Sequence, residues 1–410
     1  MSAAAFALDV GTTTIEGSLL DLSSGTVVGR GERLNPQAAY GSDVMTRLTL
    51  ALRSRETALA MQKAVLAEAA GLLRALCETS GTLLTHVQSG VLVGNTAMHH
   101  LALGLDVSTL ATAPYVPTYR RAAITELPGL PAMYCAPLIA SYVGSDAVAA
   151  AIFTGLPGGA TRMLIDLGTN TEVLLWHGET LFAASAPAGP AFEGAEIGCG
   201  MRARAGAIDS VVLWDGDISV ATLGGGAPKG LCGSGLIDAV AVMLRAGILD
   251  RTGRLHDSGP LSARVVMSQE AVPMGFSLAP GVVLTQKDIR AFQLAKGAIR
   301  AACELLLRHA GISAGAVKDV FLAGAFGSAV SADNVLSTGM LPPVHPSSVT
   351  VVGNAALAGA EMMALSAETR ETAERIAKLA RHVDLSTDPS FQDEFLQSLD
   401  FHMAMPQGTR

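Results

Sequence analysis

The sequence predicts an α/β protein of two related halves, chiefly because one short acidic turn occurs twice in the same setting. The turn is Asp-Val-Gly-Thr-Thr-Thr at residues 9–14 and Asp-Leu-Gly-Thr-Asn-Thr at residues 166–171. Each copy follows a short apolar run and leads into a second run, a further turn and a third run, which is the pattern of three consecutive strands. One Asp-x-Gly-Thr turn fits any hairpin, whereas two copies inside matching frames indicate a duplicated structure.

Both turns carry the residue types of a phosphate-binding site. Glycine lets successive backbone N–H groups approach a ligand and form a concave anion site. Threonine hydroxyls add hydrogen-bond donors, and a carboxylate at the end of a strand can hold a hydrated magnesium ion or orient a water molecule. We therefore predict that the two turns bind phosphates and face each other.

The composition excludes several classes of protein. Half of the 410 residues are apolar, 16% are charged and 44 are glycine, which is typical of a compact protein rather than of a disordered chain or a coiled coil. The net charge of −8 and the lack of a basic stripe argue against a nucleic-acid partner. The chain begins without a basic signal-peptide region and has no apolar run long enough to span a bilayer, so we expect a cytoplasmic protein without a membrane partner.

The five cysteines are dispersed along the chain, with no Cys-x-x-Cys pair. An odd and scattered set argues against a disulfide framework and against a self-contained iron–sulfur or zinc site. We expect five buried free thiols and no iron–sulfur cluster of the chain's own. A cluster shared between two subunits through Cys199 and Cys232 is a remoter alternative.

Local signals also place two long helical regions. Asp43 can cap a helical region at residues 44–76, whose apolar positions keep roughly helical spacing. Thr285 and Asp288 have the spacing of a capping box, which opens a helix at residues 289–307.

Proline and glycine at residues 157–159 mark the boundary between the halves. We predict a first domain at residues 1–157 and a second at residues 158–352. A closing interdomain helix and a C-terminal tail follow at residues 353–410.

Each half closes in the same way. Val-Gly-Ser-Asp-Ala at residues 143–147 and Val-Gly-Asn-Ala-Ala at residues 352–356 turn a strand into a helix rich in small residues. Small residues allow close backbone approach, so we predict that these two helices pack across each other and form a hinge. Ordinary close-packed core helices are the alternative.

Five motifs resemble, in their order along the chain, the phosphate, connecting and adenosine motifs of the acetate and sugar kinase, heat-shock chaperone and actin superfamily. They are Asp9-x-Gly-Thr-Thr, Val143-Gly-x-Asp-Ala, Asp166-x-Gly-Thr, Leu322-Ala-Gly-Ala-Phe-Gly and Val352-Gly-Asn-Ala. The resemblance implies two duplicated ribonuclease-H-like domains, which is the actin-like ATPase fold. It also implies an interdomain nucleotide cleft that binds ATP and Mg²⁺.

A narrower resemblance covers nearly all of the chain. Four segments look like those of the reductive activators of corrinoid-dependent enzymes, which use ATP to return an inactivated cobalt(II) corrinoid to cobalt(I) in methyltransferase systems. The segments are Leu34-Asn-Pro-Gln-Ala-Ala-Tyr-Gly-Ser-Asp, Gly94-Asn-Thr-Ala-Met-His-His, Ala188-Gly-Pro-Ala-Phe-Glu-Gly and Asp288-Ile-Arg-Ala-Phe-Gln-Leu-Ala-Lys. The resemblance implies an ATPase whose partner is a corrinoid protein or a corrinoid methyltransferase, and it leaves a homodimer open.

Members of that family usually carry an N-terminal plant-type ferredoxin domain whose cysteines hold a two-iron cluster. Because Met1 lies just before the first turn, we expect this domain to be absent. A separate ferredoxin or flavoprotein would then supply the electron.

The resemblance implies roles for individual residues. Asp9 and Asp166 would be catalytic and would face Mg²⁺ and the attacking water, and Asp146 would reach the metal from the connecting helix. The phosphates would be held by Gly11, Thr12, Thr13 and Thr14 in the first turn and by Gly168, Thr169 and Asn170 in the second. The rest of the nucleotide would be contacted by Gly233, Ser234, Gly235, Gln293, Lys296, Gly324, Ala325, Phe326, Gly353 and Asn354.

We expect ATP-driven closure to change how the protein grips its corrinoid partner and thereby the axial ligation of cobalt. Two other functions stay open at this stage. One is a small-molecule kinase of the same fold, acting on a sugar or a carboxylate. The other is a non-catalytic, ATP-gated module that binds a partner.

Overall fold

A computed structural model describes residues 3–324 and 330–401 of the chain. The chain forms two units. Unit 1 comprises Met1–Gly159, Gly178–Ala183 and Asn354–His382, and unit 2 comprises Ala160–His177, Ala184–Gly353 and Val383–Arg410. The domain boundaries predicted after residues 157 and 352 stay predictions. The segment predicted as one closing region from residue 353 is divided between the two units.

The strands are numbered in chain order. They are β1 (Ala4–Val10), β2 (Thr14–Asp21), β3 (Val27–Leu34), β4 (Val87–Gly94), β5 (Ala123–Glu126), β6 (Ala132–Cys135), β7 (Arg162–Leu167), β8 (Thr171–His177), β9 (Thr180–Ala186), β10 (Ala207–Trp214), β11 (Asp217–Thr222), β12 (Gly230–Leu231), β13 (Val265–Met267), β14 (Pro273–Ala279), β15 (Val282–Thr285), β16 (Asp319–Gly324), β17 (Val349–Gly353) and β18 (Ala380–His382).

The α-helices are numbered in the same way. They are α1 (Val44–Arg53), α2 (Arg55–Ser80), α3 (Thr96–Leu103), α4 (Ser108–Ala111), α5 (Ser145–Phe153), α6 (Gly233–Arg245), α7 (Gln286–Ala310), α8 (Ala332–Ser337), α9 (Ala355–Leu365), α10 (Ala367–Leu379) and α11 (Phe391–Gln397). Within the described ranges, none of them combines the length and the apolar character that crossing a bilayer requires.

Unit 1 is built on a six-stranded sheet in the order β3-β2-β1-β4-β6-β5. Strand β1 lies inside it, antiparallel to β2 and parallel to β4. Phe6 and Leu8 of β1 are fully buried in a core cluster with Leu72 and Leu73 of α2. Burying each such side chain stabilises the fold by about 1.5–3 kcal/mol. The packing holds the end of β1, and with it Asp9, in a fixed position.

The helical region predicted at residues 44–76 is two helices rather than one. Asp43 caps α1 as predicted, since its Oδ1 accepts a hydrogen bond from Thr46 N at 2.8 Å. Ser54 then adopts an extended backbone conformation and ends α1. Its hydroxyl oxygen accepts from Thr57 N at 3.1 Å and so begins α2. Apolar spacing alone did not reveal the break, because both helices keep the same periodicity.

Unit 2 contains a sheet in which β17, β16, β7 and β8 are neighbours in that order. Strand β7 is parallel to β16 and antiparallel to β8. Two three-stranded sheets, β11-β10-β12 and β13-β14-β15, accompany it. The predicted sequence of strand, acidic turn, strand, turn and strand is thus present in both halves of the chain, as β1 to β3 and as β7 to β9.

The capping box predicted for α7 is confirmed. Asp288 N donates to Thr285 Oγ1 at 3.2 Å, and Thr285 N donates to Asp288 Oδ2 at 2.8 Å. Asp288 Oδ1 also accepts from Gly198 N at 2.7 Å, which ties the loop before β10 to the start of the helix.

Helix α7 also anchors the C-terminal segment, defined as residues 398–401. Gln293 Nε2 donates to Leu399 O at 3.0 Å, and the ammonium group of Lys296 donates to Asp400 O. The Lys296 ammonium lies 5.1 Å from the centroid of the Phe401 ring, which favours the charged form by a cation–π interaction. Lys296 is nevertheless fully buried, and this burial, with the nearby charge of Arg300, lowers its pKa to about 7.

Helices α5 and α9, the two small-residue helices, pack against each other within unit 1, as predicted. A Cβ added to Gly359 of α9 would lie 1.9 Å from Ala149 O of α5, so the contact is between backbones. The buried Glu361 carboxylate also ties α9 to the sheet. It accepts from Ser18 Oγ at 2.5 Å and from Arg30 Nε and Nη2 at 3.0 and 2.8 Å. The predicted hinge action stays a prediction.

The cysteines are free thiols in the described structure. Cys77, Cys135, Cys232 and Cys303 are buried as expected, whereas Cys199 is partly exposed. The prediction that all five thiols are buried is therefore wrong for Cys199. This residue lies in the loop before β10 rather than in a strand or helix of the core.

The contact between α5 and α9 yields a prediction about stability. Gly359→Ala should lower the free energy of unfolding by about 1–3 kcal/mol, because the added methyl group forces two backbones apart. The control is Gly71→Ala in α2, where the nearest atom to an added Cβ is the end of the Arg74 side chain at 3.9 Å. That change should be neutral or stabilising by up to about 1 kcal/mol. Urea unfolding curves that shift equally for both variants would contradict this packing.

The buried lysine yields a prediction about pH. The unfolded chain keeps Lys296 protonated up to its ordinary pKa of about 10.4, whereas the folded chain releases the proton near pH 7. The unfolded state therefore binds more protons above pH 7, and the free energy of unfolding should rise from pH 7 to pH 9 by up to about 1.4 kcal/mol per pH unit. Lys296→Met should flatten this rise, while Lys287→Met, at an exposed position of the same helix, should keep it. Equal slopes in the two variants would refute the assignment.

Candidate functional site

In the first acidic turn, between β1 and β2, three consecutive carbonyl oxygens accept hydrogen bonds. Gly11 O accepts from Asn35 Nδ2 at 2.8 Å, and Thr13 O accepts from Asn35 N at 3.0 Å. Between them, Thr12 O accepts from Arg47 Nη1 at 2.7 Å. In a trans peptide group the N–H points away from the C=O, so the three following amides point away from these donors. This arrangement fits the backbone anion site that the turn was predicted to form.

Asp9 has an acidic neighbour that the sequence analysis did not single out. Glu16 of β2 lies directly opposite Asp9 in the antiparallel register, so both side chains project from the same face. Burial raises the pKa of Glu16, and the adjacent Glu32 adds to this effect. A hydrogen bond with Asn354 and the charge of Arg30 act in the opposite direction.

Asn354 links this acidic pair to helix α9. Its Nδ2 lies 3.4 Å from Asp9 Oδ2, and its side chain also hydrogen-bonds Glu16. Its Oδ1 accepts from Leu357 N at 2.8 Å and caps α9. Asn354, predicted to contact the nucleotide, therefore holds the carboxylate of Asp9 in the described structure. Gly353 before it has a left-handed φ of 66°.

The second acidic turn, between β7 and β8, repeats the acidic pair. Glu172 of β8 lies opposite Asp166 and is 7% exposed. Thr169 O accepts from Gly189 N at 2.9 Å, and Thr169 Oγ1 donates to Glu193 Oε1 at 2.5 Å. The Gly-Pro-Ala-Phe-Glu segment thus holds the second turn. The buried Thr171 Oγ1 makes no hydrogen bond within the described ranges, as expected of a group that serves a ligand.

Asp146 lies in the first turn of α5, close to the end of β4. Its Oδ1 accepts from Ala147 N at 2.7 Å, and burial raises its pKa to about 6. A Cβ added to Gly144 would lie 2.3 Å from Gly94 O and 2.7 Å from Thr96 N. Glycine at 144 is therefore required by the close approach of α5 to β4. Asp146 has the oxygen donors that Mg²⁺ prefers, as do Asp9 and Asp166.

Other predicted contacts of the nucleotide have internal partners. Gly233, Ser234 and Gly235 begin α6, and a Cβ on Gly235 would lie 2.3 Å from Ile208 O of β10. The close approach that the structure shows is thus between α6 and β10. Gln293 and Lys296 hold the C-terminal segment. Gly324 ends β16 with a φ of 126°, while Ala325 and Phe326 lie outside the described residues.

A sequence signal for the acidic pairs exists but is offset by one residue. Glu16 stands seven residues after Asp9, whereas Glu172 stands six residues after Asp166. A strict alignment of the two copies therefore does not superpose the glutamates. The strand register does, because it pairs Asp9 with Glu16 across six intervening residues and Asp166 with Glu172 across five.

Two protein-family models match consecutive parts of the chain. One is described as the RACo middle region and matches residues 4–158. The other is described as the C-terminal domain of RACo, the ASKHA domain, and matches residues 160–407. ASKHA is the superfamily of acetate and sugar kinases, heat-shock chaperones and actin, so the predicted actin-like ATPase fold is confirmed.

Individual relatives agree with the family models. The corrinoid activation enzyme RamQ of Eubacterium limosum is 32% identical over 415 residues, which cover 96% of this chain and 70% of that enzyme. The [Co(II) methylated amine-specific corrinoid protein] reductase of Methanosarcina barkeri is 28% identical over 290 residues, covering 65% of this chain and 51% of the reductase.

A solved structure shows the same fold over almost the whole chain. The reductive activator for a corrinoid, iron–sulfur protein superposes with a TM-score of 0.89 at 32% identity, covering 98% of this chain and 66% of the activator. The chain thus spans about two thirds of the length of that protein. From both family models, the E. limosum relative and this structure, the chain belongs to the RACo family of reductive activators of corrinoid proteins.

Proposed function

We propose that this protein couples ATP hydrolysis to the reduction of an inactivated cobalt(II) corrinoid to cobalt(I). The corrinoid is carried by a corrinoid protein or a corrinoid-dependent methyltransferase. The observation that carries the proposal is the consecutive match of two RACo family models to residues 4–158 and 160–407. The duplicated acidic turns supply the phosphate chemistry that such an ATPase needs.

The residues of the two turns fit ATP and Mg²⁺. The amides after Gly11, Thr12 and Thr13 are oriented for anions by the hydrogen bonds to their carbonyls. Asp9, Asp146 and Asp166 are the carboxylate ligands that we propose for Mg²⁺, which when bound would neutralise charge on the phosphates. In the described residues no three His, Cys, Asp or Glu side chains are grouped to hold a metal, and a hydrated Mg²⁺ ion needs only one or two carboxylates. Catalysis of phosphoryl transfer requires mainly positioning and charge stabilisation, and both acidic pairs supply fixed carboxylates.

The free energy needed to shift the cobalt(II)/cobalt(I) equilibrium is within the range that binding can supply. A protein shifts a redox equilibrium only through its different affinities for the two states. Moving a two-state balance from 1:99 to 99:1 takes about 5.5 kcal/mol. For one electron, at roughly 60 mV per tenfold, this corresponds to a shift of around 240 mV. Closure upon ATP binding, acting on the corrinoid partner and its cobalt ligation, is the step that we assign to this shift.

The electron comes from a separate donor in this proposal. Four of the five cysteines are buried, and they are dispersed along the sequence. A ferredoxin or a flavoprotein in the cytoplasm is therefore the donor that we propose.

Asp166→Asn should abolish corrinoid reactivation, because the amide keeps the shape of the side chain but removes its charge beside the phosphates. The matched control is Asp257→Asn, at an exposed position of the same half, which should reactivate at the wild-type rate. The measurement is anaerobic absorption spectroscopy of cobalt(II) loss, with a corrinoid protein, ATP, Mg²⁺ and a reductant.

The same assay separates the proposal from the other functions of this fold. ATP turnover should rise when the corrinoid partner is added. Turnover that instead depends on a sugar or carboxylate would indicate a kinase, and stoichiometric ATP binding without turnover would indicate a partner-binding module. Normal reactivation by Asp166→Asn would contradict the assigned role.

Glu16→Ala should lower partner-stimulated ATP turnover about tenfold with little change in KM, because Asn354 loses one of the two acceptors that fix it beside Asp9. Glu16→Gln should retain most of the activity, since its amide oxygen still accepts from Asn354. The control is Glu126→Ala, at an exposed position of β5 in the same sheet. Steady-state ATPase kinetics test this, and an unchanged turnover number in Glu16→Ala would exclude a positioning role.

A further inference from the structure

Arg47 is a buried cation directly behind the first acidic turn. It is 1% exposed, although arginine is rarely buried without a charged partner. Its Nη1 donates to Thr12 O at 2.7 Å, and its Nε donates to Gly41 O at 2.9 Å. Nη1 also lies 3.4 Å from Met98 Sδ. Among the ion pairs of residues 3–324 and 330–401, none includes Arg47.

In the described structure the hydrogen bonds of Arg47 therefore go only to neutral groups, and burial lowers its pKa. Asp43 is the carboxylate that raises its pKa against the effect of burial. However, Asp43 is engaged at the start of α1, where it accepts from Thr46 N at 2.8 Å and Thr46 Oγ1 at 2.6 Å. Burying a cation without a bonded anion is costly, so the site favours an anion close by.

The peptide group that Arg47 contacts indicates where such an anion would bind. Arg47 donates to the C=O of the peptide group between Thr12 and Thr13, and the N–H of this group points to the opposite side. A hydrogen bond at the oxygen polarises the peptide and strengthens the bond that its N–H can donate. The charge of Arg47 thus acts on a phosphate bound at this N–H through one peptide group, and Arg47 does not contact the phosphate itself.

Asn35 and Gln37 make this part of the turn rigid. Asn35 is 1% exposed and Gln37 is fully buried. Asn35 Oδ1 accepts from Gln37 N at 2.9 Å, and Gln37 Nε2 donates to Met61 O of α2 at 3.2 Å. Asn35, Gln37 and Arg47 together hold the first turn in place. Asn35 and Gln37 belong to the Leu34-Asn-Pro-Gln segment that resembles the corrinoid activators, so this segment has a structural role at the turn.

The two turns differ at this point. Thr169 occupies in the second turn the place that Thr12 occupies in the first. Its carbonyl oxygen accepts from a neutral backbone amide, Gly189 N, at 2.9 Å. The corresponding carbonyl of the first turn, Thr12 O, accepts instead from the charged guanidinium group of Arg47.

We propose that Arg47 is a positioning residue for the phosphate chain of the nucleotide: it orients and polarises the first turn and so contributes to affinity for ATP but not for adenosine. This inference rests on the proposed function, because it takes a nucleoside triphosphate as the ligand of the turn. It adds a residue that makes no direct contact with that ligand and that the motif of the turn does not include.

The test is calorimetric binding of a non-hydrolysable ATP analogue and of adenosine to the full chain in the presence of Mg²⁺. Arg47→Met should weaken binding of the ATP analogue about tenfold or more, the usual size of a lost charge-assisted hydrogen bond, and leave binding of adenosine unchanged. Arg47→Lys keeps the charge but lacks the fork that reaches both carbonyls, and should restore part of the loss. Arg53→Met, at an exposed position of the same helix, controls for the change in net charge.

Each outcome decides the inference. Equal weakening of both ligands in Arg47→Met, or none, would overturn it, and so would a wild-type chain that binds no nucleotide. If Arg47→Met does not fold, Arg47→Lys carries the test alone, and an ATP affinity equal to that of the wild type would then count against the inference. The assay contains no corrinoid protein. A wild-type chain that binds ATP but does not reactivate a corrinoid would therefore refute the proposed function while leaving this inference standing.

Discussion

The hydrogen bonds to the carbonyl oxygens of Gly11, Thr12 and Thr13 are the constraint on which the first half of the proposed ATP site depends. A turn of three residues has few contacts of its own, and free rotation of its peptide groups would scatter the amides that a phosphate needs. Asn35 and Arg47 remove this freedom before any ligand binds, which is pre-organisation in the sense that matters for phosphoryl transfer. Glycine is required at 11 for a related reason, since an added Cβ would lie 2.8 Å from Thr14 O.

Helix α9 is positioned by a small residue on one contact and by polar residues on others. Gly359 sets the distance to α5 by backbone contact, while Asn354 and Glu361 fix the rotation of the helix over the sheet. Asn354 and Glu361 are seven residues apart, about two helical turns, and so lie on one face. The buried Glu361 carboxylate is acceptable there because three hydrogen bonds satisfy it. The same helix therefore carries the contact to Asp9 and the means of holding that contact in place.

The segment that begins at Asp288 is an example of a motif whose visible contacts are structural. Asp288 closes the capping box, and Phe292 stacks on Phe401 with ring centroids 6.1 Å apart. Gln293 and Lys296 bind the carbonyls of Leu399 and Asp400. Four of the nine residues from Asp288 to Lys296 are thus engaged with neighbouring segments of unit 2 by these contacts alone. The contact with the nucleotide predicted for Gln293 and Lys296 stays a prediction beside these contacts.

The sequence by itself determined what depends on local pattern. It predicted the duplicated strand and turn frame, the capping box of α7, the contact between α5 and α9, the actin-like fold and the family, because periodicity, caps and ordered motifs are readable along the chain. Only the tertiary structure decided which side chains meet. Asn354 reaches Asp9 across 345 positions, and Arg47 of α1 reaches Thr12 in the turn between β1 and β2. The two glutamates face the two aspartates through strand registers with different spacings along the chain. Such pairings arise from long-range packing, which no local pattern encodes.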